Sequence, residues 1–185
     1  FRSSTDASTV TGGVENNIAN GLTLTGGNLA SNITGTGSTV ISGNAQNNGT
    51  IASAVEIATS GKLSTNASKI TGGVENNATD GLVLTGGDLA SAISGTGSTS
   101  IEGAVTNTGN KEIANAITIA TGGSLSTDAS KVTKGVENNI ANGLTLTGGN
   151  LASDITGTGT TVISGDVTNT NDKSLRTDMK VSGSL

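Results

Sequence analysis

A chain of 185 residues with 29 glycines, Phe1 as its only aromatic residue, and no Cys, His, Pro, Trp or Tyr must build any core from Ile, Leu, Val and Ala. Its net charge of −5 is scattered, so no basic patch interleaved with aromatics supports nucleic-acid binding. No apolar run approaches the ~20 residues that span a bilayer, and the missing His and Cys remove the usual general bases and soft metal ligands. No enzyme activity and no cofactor are expected. The chain opens on Phe1 without a signal-peptide pattern, which reads as a mature or excised segment.

Taken in chain order, the sequence repeats itself at two scales. Gly13-Val14-Glu15-Asn16-Asn17 returns from Gly73 to Asn77 and from Gly135 to Asn139. Gly21-Leu22-Thr23-Leu24-Thr25-Gly26-Gly27 returns from Gly81 and again from Gly143. These define one continuous domain of three repeats, 1–60, 61–122 and 123–185. Within them an aliphatic-x-Gly-x-aliphatic-x-Asn pattern begins at Val10, Ile41, Ile70, Ile101, Val132 and Ile163, with only Lys134 breaking the Gly position. Its starts lie 29 or 31 residues apart.

Between these patterns, aliphatics recur at period two, as in Leu22 and Leu24 or Val55 and Ile57. Period two marks strands with one buried face. Gly and Asn punctuate them as corner residues. The expected core is Leu24, Leu29, Ile41, Ile57, Leu63, Ile70, Leu84, Leu89, Ile101, Ile119, Leu125, Leu146, Leu151 and Ile163. Such a unit cannot bury its apolar face alone, so like units must stack. The predicted fold is all-β, a single-stranded parallel β-helix of about six rungs of ~30 residues. In that arrangement Asn16, Asn47, Asn76, Asn107, Asn138 and Asn169 form a ladder of stacked amides.

These repeats resemble right-handed parallel β-helix proteins, in particular the passenger regions of bacterial autotransporters and repetitive surface adhesins. The resemblance implies a secreted, cell-surface location, a right-handed coil and a possible host or cell-surface ligand. The Gly-Gly-x-Gly-x-Asp repeat of calcium-binding solenoids is absent.

The two ends of the chain suggest self-assembly. Lys173–Leu185 matches Lys111–Leu125 with two residues deleted. The internal copy continues into Ser126-Thr127-Asp128-Ala129-Ser130, whose counterpart stands at the start of the chain as Ser4-Thr5-Asp6-Ala7-Ser8. One subunit is thus expected to complete the open rung of the next, through Phe1, Ser4, Thr5, Ala7, Val10 and Val14 at one end and Leu175, Met179, Val181 and Leu185 at the other. The expected function is a structural fibre subunit. The alternative is a segment of an adhesin or autotransporter stalk, whose neighbouring repeats cover both ends.

Other chemistry is weaker. Glu15, Glu75, Glu137, and Asp154 with Asp166, are candidates for carboxylate catalysis of the glycosidase kind. The first three are repeat equivalents, which reads as a solvated face. Thr23/Thr25 and Thr145/Thr147 have the Thr-x-Thr form of ice-binding solenoids, interrupted by Val83, Glu56 and Ala58. Asn-x-Ser/Thr triplets, as at Asn32 and Asn66, are a consequence of the composition.

Overall fold

Residues 2–185 are described in a computed structural model. The chain winds into a parallel β-solenoid of about 10 turns of ~18 residues, with almost no helix. Each turn presents a short strand, or in places a single β-bridge, to each of three faces. On face one the inward positions run Ser3, Leu22, Thr39, Val55, Val74, Ile93, Ile113 and Val132. Face two runs Gly27, Ala45, Leu63, Leu82, Thr99, Ile117, Val136, Ile155 and Leu175. Face three begins with Val14, Ile33, Ile51 and Ile70 and continues with Gly87, Val105, Leu125, Leu144, Thr161 and Met179.

Successive partners on face two are 17 to 20 residues apart, so the rung is ~18 residues rather than ~30. The reason lies in counting faces. A coil is three faces, whereas the 29- or 31-residue unit spans five. Its copies therefore return on a different face each time: Val14 on face three, Ala45 on face two, Val74 on face one, then Val105 and Val136. The ~61-residue repeat spans ten faces, or three and a third coils, and steps each copy around the column by one face. At ~4.8 Å per coil, ten coils make a column about 48 Å long, against the roughly 29 Å that six rungs give.

All of the predicted core residues are buried. Each inward aliphatic contributes about 1.5–3 kcal/mol on leaving water. The core also holds polar residues that the period-two aliphatic pattern did not reveal. Thr39, Thr99 and Thr161 are repeat equivalents, fully buried on faces one, two and three. Their hydroxyls pair with Ser53 Oγ at 3.0 Å, Asn115 Oδ1 at 2.8 Å and Thr177 Oγ1 at 3.3 Å. A hydroxyl facing another hydroxyl or an amide inside the column avoids the penalty of an unpaired buried group.

Corners obey local chemistry. Asn20, Asp80 and Asn142 adopt φ of 51–54°, a left-handed conformation that Asn and Asp tolerate better than other side chains. Gly103 sits where a Cβ would lie 2.0 Å from the Thr85 carbonyl oxygen of the coil below, so only glycine lets the two backbones approach. Asp6, Asn66 and Asp128 open three short 3-10 turns, each side chain accepting from the backbone N–H two residues on.

Candidate functional site

The six asparagines do not form one ladder. Register pairs Asn47 with Leu29 and Thr65, Asn76 with Ile57, and Asn138 with Ile119. Since the five-face unit shifts each copy to another face, no Asn lies above its equivalent in the adjacent coil. They fall instead into two groups with different partners. Asn16, Asn76 and Asn138 donate from Nδ2 to the carbonyls of Ser38, Ser98 and Thr160 in the next coil. Each accepts at Oδ1 from the backbone N–H two residues on.

The second group is Asn47, Asn107 and Asn169. Asn107 and Asn169 receive the N–H of Lys111 and Lys173 at Oδ1, each at 2.8 Å. Asn47 lies four residues before Ile51, whereas Asn107 and Asn169 lie six before Ile113 and Leu175. The shorter corner supplies no such N–H, and Asn47 Oδ1 is buried without a partner. Asn47 and Asn107 each donate across to the next coil, to Thr65 Oγ1 and Thr127 Oγ1, both at 3.1 Å. Asn169 bonds the Lys173 carbonyl and is exposed.

The two end coils differ sharply from the interior. At the C-terminal end, Met179, Val181 and Leu185 are 46%, 51% and 53% exposed, and Leu175 is half-buried. Their repeat equivalents Ile117, Ile119 and Leu125 are at most 2% exposed. These terminal residues occupy inward positions: Met179 lies over Thr161 and Val181 over Ile163. Nothing among the described residues lies beyond them. At the N-terminal end, Ser4 is exposed and Thr5, Val10 and Val14 are half-buried, while Ala7 is already covered. Phe1 lies outside the described residues. Ile18, 44% exposed, belongs to the same end; it lies in a corner outside the period-two rows, with Ala78 and Ile140 as its repeat equivalents.

Both ends also leave backbone edges open. Among the described residues, Ser3–Thr5 pairs only with Leu22–Leu24, Val14–Glu15 only with Ile33–Thr34, and Leu175–Val181 only with Ile155–Ile163. The ends are in phase around the column. Ser3 opens face one, which continues past Val132 through Gly149 and Val167, and the Val167 N–H donates to Ser184 O at 3.0 Å, which puts Leu185 on that face. Three ten-face repeats make thirty faces, or ten whole coils: Ser3 opens on face one, Met179 is the thirtieth position on face three, and Leu185, over Val167, returns to face one.

The carboxylates are dispersed. Glu15, Glu75 and Glu137 sit outward on faces three, one and two, each accepting from the Asn two residues on. Asp154 accepts from Ser174 N–H and Asp166 from Ser184 Oγ. Among the described residues no three acidic side chains group together as metal ligands, and no helix is long and apolar enough to cross a membrane. Thr23 stands between Ser4 and Val40, and Thr145 between Ser126 and Val162, on different faces, so the Thr-x-Thr pairs form no continuous rank. Compared with family models, curated proteins and solved structures, the chain finds no match.

Proposed function

We propose that the chain is a structural subunit of an extracellular fibre, assembling head to tail so that one copy's first coil covers the next copy's last. The observation that carries this reading is the exposed set of inward aliphatics on the last coil, in phase with the open strands of the first. An uncovered solenoid end is a sheet edge with unpaired N–H and C=O groups, which natural solenoids blunt with polar caps. Here the last coil offers Met, Val and Leu. A head-to-tail contact does not close on itself and so propagates as a filament. The extracellular location rests on the likeness to autotransporter passengers and surface adhesins. Sedimentation at rising concentration, with electron microscopy of the same samples, tests the assembly. Thin unbranched fibres support it; a monodisperse monomer at high concentration defeats it.

A second reading is a stalk segment of a surface adhesin, in which flanking coils of the same polypeptide cover both ends. The covalent joins between the three repeats, made here without loss of register, favour it. The length of the coding gene separates the two readings.

A further inference from the structure

We infer that the junction between copies repeats the register of two internal coil pairs, and that Leu185 of one copy takes the place Ser3 holds beneath Leu22 of the next. The inference rests on the head-to-tail reading and adds to it a specific set of contacts. Internally, Val55-Glu56-Ile57 pairs with Val74-Glu75-Asn76, and Ile117-Thr118-Ile119 with Val136-Glu137-Asn138. The third counterpart of the lower strand is Met179-Lys180-Val181. Its upper counterpart is Val14-Glu15-Asn16, at the open side of the first coil. Both lie on face three, so stacking brings Met179 under Val14, Lys180 under Glu15 and Val181 under Asn16 of the next copy.

The other two faces agree with that register. Ile51 lies under Ile70 and Ile113 under Val132, with Ile51 N–H donating to Lys69 O at 2.8 Å and Ile113 N–H to Lys131 O at 2.7 Å. The third member of this series is Leu175, which comes under Val10 of the next copy and donates to the Thr9 carbonyl. Asn47 and Asn107 donate to Thr65 and Thr127, and the same step gives the exposed Asn169 the hydroxyl of Thr5. Leu63 and Leu125 lie beneath Leu82 and Leu144. Leu22 is the first-repeat counterpart of those upper leucines, and within the chain it has Ser3 beneath it. Replacing Ser3 by Leu185 restores the aliphatic stack found at both internal positions. It also buries an exposed leucine.

One difference sets the junction apart. The internal outward pairs are Glu56 with Glu75 and Thr118 with Glu137, held together by the covalent chain whatever their charge. At the junction the pair is Lys180 with Glu15, opposite in sign. Untethered ends have no loop to fix their register, and an opposite-charge pair opposes a two-residue slip that the aliphatic rows alone would tolerate.

Disulfide trapping between Glu15→Cys and Lys180→Cys tests the register under mild oxidation. Directly stacked residues lie ~4.8 Å apart, within disulfide range, while the outward neighbour Asp178 falls at ~8 Å, beyond it. The E15C/K180C chain is expected to give covalent multimers, and E15C/D178C to stay uncrosslinked. Leu185→Ser is expected to abolish fibres, whereas deleting residues 1–3 preserves them. K180E should raise the concentration at half-assembly roughly two- to fivefold, and K180E/E15K should restore it. Circular dichroism of each variant confirms that the column is folded. Fibres that crosslink through D178C instead, or that ignore both the charge reversal and L185S, overturn the register while the fibre reading stands. Folded chains that give neither fibres nor crosslinks overturn both.

Discussion

Ile117–Ile119 and Met179–Val181 hold the same slot in successive repeats, and their fates differ completely. The interior strand has a coil on each side, and its two isoleucines are 2% and 1% exposed. The terminal strand has a coil on one side only, and Met179 and Val181 are about half exposed. Burial in this molecule is therefore supplied by the neighbouring coil and is not a property of the strand that carries the side chain. What a side chain contributes to stability should depend on whether a coil lies on each side of it.

That contrast can be broken by mutation, beginning where the effect is largest. Ile119→Ala leaves a cavity between two coils and should cost about 2–5 kcal/mol in denaturant unfolding. Val181→Ala in dispersed protein should stay within about 0.5 kcal/mol. Equal losses at the two positions would end the comparison. A smaller pair of effects sharpens it. Asn138→Ala strands the Thr160 carbonyl and the Ile140 N–H in a buried corner, at about 1–3 kcal/mol. Asn169→Ala, at the exposed end, should leave the melting temperature of dispersed protein nearly unchanged and weaken fibres.

The smallest effect is in pH. Hydrogen bonds from the Thr108 hydroxyl and N–H, with Thr106 adding a third, hold the Asp88 carboxyl below its ordinary pKa. Bonds from Ser8 do the same for Asp6 in the end coil. A folded pKa below the unfolded one gives stability that is present above the ordinary carboxylate value and is lost as pH falls through the folded value, so the loss begins below about pH 4. Asp88→Asn should flatten that slope, because Asn150 already accepts from Thr168 and Thr170 at the equivalent place. A slope unchanged in the variant, tracked by melting temperature from pH 5 to 3, would remove Asp88 as its source.

Much of the fold was legible. Leu22 and Leu24, or Val55 and Ile57, announce inward faces two residues apart, and the aliphatics chosen on that basis are all buried. The coil length was not legible, because what repeats in sequence is a five-face unit and what repeats in space is three faces. No residue type marks every corner, since Asn20, Gly43 and Ser60 all lie between strands, and so the count of faces per unit could not be taken from composition. The asparagines show the consequence. Asn16 and Asn47 carry one pattern in sequence yet differ in partner, because the face beneath each is set by the winding. At the ends, Met179, Val181 and Leu185 could be picked out from the truncated repeat, whereas Ile18 lies in a corner outside the period-two rows and carries no such signal.

The most direct test of stacking carried from one copy to the next is cryo-electron microscopy of concentrated protein. Head-to-tail stacking predicts unbranched fibres with a ~4.8 Å axial spacing throughout and an advance of about 48 Å per subunit, ten coils in unbroken register. Isolated columns with both end coils uncovered at the highest concentration, or fibres whose subunits meet side by side, would contradict it.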